Sequence, residues 1–188
     1  MALLLSGCMG STNVQDKNTA ITSWNKWADA QQSFDSKATQ TLTLYVDHLN
    51  TYQSVITESS PDYNILITNF GTDKNNFQNW DSYLSDLNTA TTDFSGDSAS
   101  LTGDSKTYAD EMLTNMRTYH TEMQNAQIDY IASCDDLISY MDSAQRGSPD
   151  ATMLQASNSK KDDANTAVQN AAAATNQAMD SMKRLQSS

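Results

Sequence analysis

The sequence predicts an all-α fold, an elongated antiparallel up-down-up-down four-helix bundle with coiled-coil-like packing. Apolar residues recur in steps of three and four over four long segments, and both prolines lie in Ser-Pro-Asp triplets between segments. The Gly/Ser-rich stretch SGDSASLTGD separates the second segment from the third. The predicted helices span about 19–58, 61–94, 105–145 and 149–186, and residues 19–188 form one domain. Helices of about 40 residues would make a rod roughly 60 Å long.

The composition requires these helices to be held by packing. The chain contains 20 Asp, 16 Asn and 44 Ser plus Thr, whose short polar side chains compete with helical backbone hydrogen bonds. Leu, Ile, Val and Phe total only 29 of 188 residues, a fraction that a disordered chain would also show. The helical spacing of methionine, aromatic and alanine residues favours an ordered bundle. A net charge of −12 without a basic cluster argues against nucleic acid as a partner.

The first helix carries a heptad seam about five repeats long, interrupted at Gln31 and Asp35 and widened by Trp27 and Phe34. The seam positions are Ile21, Trp24, Ala28, Ala38, Leu42, Tyr45, Leu49, Tyr52 and Ile56. Ser60-Pro61-Asp62 follows, which predicts an N-cap at Ser60 and a second helix that starts at Pro61.

The remaining helices each have an apolar stripe. In the second helix it is Tyr63, Leu66, Ile67, Phe70, Phe77, Trp80, Leu84, Leu87 and Phe94. In the third helix it is Tyr108, Met112, Met116, Tyr119, Met123, Ala126, Tyr130, Leu137, Tyr140 and Ala144. The fourth helix follows a second Ser-Pro-Asp triplet and buries alanines, namely Ala164, Ala167, Ala171, Ala174 and Ala178. Small residues let this helix lie close to its neighbours.

The two turns lie in related segments. DHLNTYQSVITESSPDYNIL from Asp47 and DDLISYMDSAQRGSPDATML from Asp135 share seven of twenty residues at a fixed offset of 88. Duplication of a helical hairpin would explain the match. Convergence would also explain it, since Ser-Pro-Asp suits any short turn that starts a helix.

The N-terminus carries the clearest motif, Leu5, Ser6, Gly7 and Cys8, followed by the polar stretch STNVQDKN. L-S-G-C resembles the lipobox of bacterial and archaeal lipoproteins, in which a peptidase cuts before a lipid-modified cysteine. The resemblance implies that residues 1–7 are the end of a signal peptide, that Cys8 is acylated, and that residues 8–18 form a polar tether. It also implies a location in the cell envelope, anchored on the extracytoplasmic side.

A complete signal peptide needs a basic segment and roughly 7 to 15 apolar residues. Only Met1 to Leu5 precede the lipobox, so we expect further residues upstream of Met1. The alternative is that Leu3 to Leu5 and Cys8 are a frayed apolar terminus. Acylation of Cys8 would leave Cys134 unpaired, and its apolar neighbours predict a small buried side chain.

Candidate binding residues are few. Gly71 should lie level with Leu49, which suggests a small polar pocket of His48, Tyr52, Gly71 and Asp73, although a tolerated helical glycine explains Gly71 as well. Met116, His120 and Met123 share a helical face that could hold a soft metal, but methionines at this spacing are usually core. The sequence predicts no cofactor and shows no catalytic motif.

These features predict a non-enzymatic, membrane-anchored binding or scaffold bundle that meets an envelope protein partner. The alternative is an envelope protein that binds a small molecule or metal inside the bundle. A cavity of a few hundred cubic ångströms would favour ligand binding, whereas a filled core with an exposed apolar patch would favour a protein partner. The sequence leaves the oligomeric state open.

Overall fold

The computed structural model describes residues 9–188, with side-chain burial from Val14 onward, and this part of the chain is α-helical throughout apart from short turns. Its helices are α1 (Met9–Val55), α2 (Tyr63–Gln78), α3 (Trp80–Asp97), α4 (Gly103–Gln145) and α5 (Ala151–Ser187). The predicted all-α four-helix bundle is confirmed, with α2 and α3 together in the place of the predicted second helix. Helix α1 starts at Met9, so residues 9–18, predicted as a tether, are its first turns.

The described chain divides into two compact units. The first unit contains the described residues up to Gln32 together with Ser85–Thr121 and Asn170–Ser188. The second unit contains Ser33–Leu84 and Glu122–Gln169. Segments of α1, α3, α4 and α5 build the first unit, and segments of α1, α2, α4 and α5, with the first turn of α3, build the second.

Polar contacts and aromatic rings join the helices of the first unit. Trp27 on α1 meets Tyr119 on α4 edge to face, with ring centroids 5.7 Å apart. The Ser23 hydroxyl on α1 donates a hydrogen bond to the Asp97 carboxylate at the end of α3. Glu111 on α4 accepts hydrogen bonds from Ser181, at 2.8 Å, and from Arg184 on α5. All four helices of this unit are therefore cross-connected.

The second unit is centred on aromatic rings. Phe77 on α2 stacks on Tyr130 on α4, with centroids 4.7 Å apart and planes 9° apart. Tyr45 on α1 meets both rings edge to face, at 5.5 Å and 5.8 Å. Tyr52, later in α1, contacts Phe70, earlier in α2, so these two helices run antiparallel. Edge-to-face and stacked pairs of this kind add about 0.5–1.5 kcal/mol each beyond the burial of their surface.

The burial pattern agrees with the predicted stripes on α2 to α5 and shifts the stripe on α1. All five predicted alanines of α5 are buried. On α1, however, Trp27 and Phe34 are fully buried, whereas Ile56 is 38% exposed. Trp27 and Phe34 therefore belong to the buried stripe of α1, and Ile56 lies in the turn that follows the helix.

Both Ser-Pro-Asp turns start their helices with the aspartate, and the prediction of serine caps was wrong. The Asp62 carboxylate accepts a hydrogen bond from the Asn64 backbone N–H at 3.1 Å, and α2 begins at Tyr63. Asp150 accepts in the same way from the Thr152 N–H at 3.0 Å. An aspartate side chain reaches the N–H two residues ahead, so the cap falls after the proline and not before it.

A break at Asn79 divides the predicted second helix. Here the buried Gln127 side chain on α4 donates hydrogen bonds to the Phe77 carbonyl, at 2.9 Å, and to the Asp81 carboxylate, at 2.7 Å. The amide therefore ties α4 to the backbone of α2 beside the break. Gly71, a member of the predicted pocket, lies inside α2, and an added Cβ there would meet no atom within 4 Å.

We expect Gly147→Ala to lower the free energy of unfolding by about 1 kcal/mol. Gly147 ends α4 at a φ of 78°, where Ser148 N–H bonds the Ser143 carbonyl and Gly147 N–H bonds the Ala144 carbonyl. A Cβ is disfavoured in this left-handed conformation. Urea denaturation measures the change.

The matched control is Gly71→Ala, which places the same methyl group in open space on a regular helix. We expect this variant to be more stable than the wild type by about 0.4–1 kcal/mol, since alanine loses less backbone entropy on folding. Changes of the same sign in the free energy of unfolding of both variants would contradict this explanation.

Candidate functional site

The lipobox residues Leu5, Ser6, Gly7 and Cys8 lie outside the described residues, so the lipidation of Cys8 stays a prediction. Within residues 9–188, no helix combines the length and apolar character needed to cross a membrane.

Two of the four predicted pocket residues come into direct contact. His48 Nδ1 on α1 lies 2.8 Å from both carboxylate oxygens of Asp73 on α2. Gly71 is a regular helical position and brings no close contact to this pair. Tyr52 instead packs on Phe70 and interacts with the Tyr140 hydroxyl. The structure therefore shows a His48–Asp73 pair, while Tyr52 belongs to a different site.

Asp73 is fully buried, and His48 shields it on the side of α1. Burial raises the pKa of Asp73 above its ordinary value, and the hydrogen bond and charge of His48 oppose that rise without cancelling it. The pair thus joins α1 to α2 through a carboxyl group whose ionised form is disfavoured by burial.

A cavity of about 200 Å³ lies between α1, α4 and α5 in the second unit. Its apolar wall consists of Leu49, Leu137 and Leu154 with the rings of Tyr45 and Tyr52. Its polar residues are Gln53 on α1 and Ser157, Asn158 and Lys161 on α5. An apolar body with a few polar groups is the usual form of a small-molecule site.

A chain of three hydroxyl groups ends at this cavity. Tyr45 Oη lies 2.9 Å from Ser133 Oγ, and Ser133 Oγ lies 2.8 Å from Ser157 Oγ. Two hydrogen bonds use two of the three hydroxyl hydrogens. When Tyr45 donates to Ser133 and Ser133 donates to Ser157, the Ser157 hydrogen is available to an acceptor in the cavity. Burial raises the pKa of Tyr45 well above its ordinary value, so the Tyr45 hydroxyl stays protonated.

The cavity lies where the α1–α2 and α4–α5 hairpins, whose turn segments match in the sequence, carry different residues. Residues 88 apart meet in this unit, as the contact between Tyr45 and Ser133 shows. In that register, Phe70 of α2 corresponds to Asn158 of α5. Phe70 is fully buried, whereas Asn158 is exposed at the cavity mouth. The hairpin match was visible in the sequence, and a comparison of Phe70 with Asn158 was the signal that could have located the cavity.

The weak metal candidates are arranged as core residues. Met116 and Met123 are buried and His120 is half-buried, in agreement with the interpretation of these methionines as packing residues. Among the described residues, no three His, Cys, Asp or Glu side chains form a group that could hold a metal ion. Cys134 is fully buried, and burial raises the pKa of its thiol.

No protein-family model matches this chain, and neither does any curated protein or solved structure at a significant level.

We expect the stability of the wild type relative to Asp73→Asn to fall as the pH rises from about 4 through the raised pKa of Asp73. The native protein holds the Asp73 proton more tightly than the unfolded chain does. The stabilisation that protonated Asp73 contributes is thus fully present below the pKa of Asp73 in the unfolded chain. It is lost as the pH rises above the pKa of Asp73 in the native protein. Urea denaturation of both proteins between pH 3.5 and pH 7 provides the comparison.

The variant Asp47→Asn removes one negative charge from an exposed position beside His48 and serves as the reference for this effect. If the difference in free energy of unfolding between the wild type and Asp73→Asn stays constant across the pH range, burial of Asp73 does not govern its titration.

Proposed function

We propose that this chain is a lipid-anchored extracytoplasmic protein whose helical bundle binds a small molecule and catalyses no reaction. The observation that carries the binding function is the cavity of about 200 Å³ beside Tyr45 and Tyr52. Its three leucines and two tyrosine rings offer apolar surface, and three of its polar side chains, Ser157, Asn158 and Lys161, come from α5. This division suits a ligand with an apolar body and one polar end.

The cavity lining favours binding over catalysis. Its polar side chains are a serine, two tyrosines, two amides and a lysine, with no carboxylate, imidazole or thiol beside them. Ser157 could act as a nucleophile only with a base to take its proton, and its hydrogen-bonding partner is another serine hydroxyl. The His48–Asp73 pair is outside this lining.

A scaffold that meets an envelope protein is the other expectation from the sequence, and the surface gives it less support. The exposed large apolar residues of the second unit come from three helices, as Leu44, Ile65 and Ile128 illustrate. Leu44 and Val46 are two positions apart on α1, so they point to different sides of that helix. A docking surface would need such residues to gather into one patch.

The lipobox supports the anchor. We expect the exported chain, expressed behind a basic and apolar leader that runs into Leu5, to fractionate with membranes. Cys8→Ser should shift it to the soluble fraction, because the acyl chains would be lost. The matched control Cys134→Ser changes the buried thiol and should leave the protein with the membranes. Equal partition of the Cys8→Ser variant and the wild type would refute the anchor.

We expect the cavity to bind benzyl alcohol, a probe with one apolar ring and one hydroxyl group, and saturation-transfer NMR on the 188-residue chain measures this. Asn158→Phe places on α5 the ring that Phe70 supplies at the matching position of α2. The added ring should fill the cavity and abolish the saturation-transfer signal. The matched control Gln155→Phe adds the same ring at an exposed position outside the lining. Retained binding in Asn158→Phe, or loss of binding in Gln155→Phe alone, would contradict the assignment of the site.

A further inference from the structure

The side chains that line the cavity carry a positive charge, whereas the protein as a whole is acidic. Acidic residues outnumber basic ones by 23 to 11 in the chain, yet the lining contains one lysine, Lys161, and no acid. Lys161 Nζ donates a hydrogen bond to the neutral Asn158 side chain at 3.3 Å. Its neighbour Lys160 is engaged elsewhere, since its ammonium group lies 3.1 Å from the Asp129 carboxylate. The described residues thus give Lys161 an amide partner and no carboxylate within ion-pair distance.

Two donors on α5 are placed to bind one anionic group. Ser157 and Lys161 are four residues apart on the same helix, so their side chains are neighbours on one face. Ser157 lies inside the cavity at the end of the hydroxyl chain, and Lys161 lies at the mouth. The side-chain oxygen of Asn158 accepts the hydrogen bond from Lys161. The side-chain N–H groups of Asn158 are therefore available as donors at the same mouth. Three kinds of donor, a hydroxyl, an ammonium and an amide group, therefore lie on the α5 part of the lining.

The size of the cavity limits the apolar part of the ligand. An apolar cavity of roughly 150 Å³ binds a molecule of benzene. A cavity of about 200 Å³ therefore has room for one ring or a short branched chain together with a polar group. Larger amphiphiles, such as a lipid with long acyl chains, would extend far outside it.

We propose that the cavity binds a small monocarboxylate, with its apolar body against Leu49, Leu137 and Leu154 and its carboxylate between Ser157 and Lys161. This inference rests on the proposed ligand-binding function and names the ligand class. The carboxylate receives a hydrogen bond from a hydroxyl group and a charge-assisted hydrogen bond from an ammonium group, which is the stronger kind. The acidic residues elsewhere in the protein have little effect on the bound carboxylate, because salt at physiological ionic strength screens charges more than about 8 Å away.

Three probes with the same ring test the inference on the 188-residue chain: benzoate, benzyl alcohol and benzylamine. At pH 7 these are an anion, a neutral molecule and a cation. We expect benzoate to bind at least tenfold more tightly than benzyl alcohol, and benzylamine to bind most weakly. Titration followed by NMR chemical shifts at constant ionic strength measures the three dissociation constants.

Two lysine variants isolate the charge at the mouth. Lys161→Met keeps an unbranched side chain and removes the ammonium group, and it should bring benzoate to the affinity of benzyl alcohol. Lys160→Met makes the same change at a neighbouring residue outside the lining, and it should leave benzoate binding within twofold of the wild type. Asn158→Phe should abolish the binding of all three probes.

The outcomes separate this inference from the proposed function. If no probe binds the wild type, both fail. If benzyl alcohol binds as tightly as benzoate, or if Lys160→Met weakens benzoate as much as Lys161→Met does, the cavity binds ligands without selecting a carboxylate. Benzoate binding that survives Asn158→Phe would place the anion site elsewhere and overturn the inference.

Discussion

The fold depends on the packing of large rings and methionines against small side chains, because the helices have little intrinsic stability. Asp, Asn, Ser and Thr make up much of every helix, and these residues are poor helix formers. What holds them is burial, as where Phe77 stacks on Tyr130 and Tyr45 closes the cluster from α1. Alanines on α5 bring that helix close enough to complete the packing. One ring of this cluster, Tyr45, also lines the cavity of the second unit.

The sequence was sufficient to predict the helices because burial itself repeats every three or four residues. It was insufficient wherever a distant residue decides the local structure. At the break near Asn79, the side chain of Gln127 on α4 donates a hydrogen bond to the Phe77 carbonyl, a contact that no local pattern predicts. Counting back from the first turn placed His48 near Asp73, and these side chains are in contact. No periodicity could predict the cavity, since an empty space depends on what Asn158 leaves unfilled.

The two hairpins have similar turns and different roles. Both begin their second helix with an aspartate cap, and their first helices meet through residues in the matching register, such as Tyr45 and Ser133. In the α1–α2 hairpin, Phe70 is buried and the polar group is Asp73, held by His48. In the α4–α5 hairpin the same positions carry Asn158 and Lys161. One hairpin thus contributes most of the aromatic core, and the other contributes polar groups at an opening.

The burial of Cys134 has a consequence for redox chemistry. Its thiol is fully buried, and the raised pKa keeps it protonated, so the thiolate that attacks disulfides and oxidants is scarce. An oxidising compartment would therefore leave the folded chain without a mixed disulfide at this position. The thiol becomes reactive only when the helices around it separate. The rate at which a thiol reagent modifies Cys134 therefore reports how often the second unit opens in the native protein.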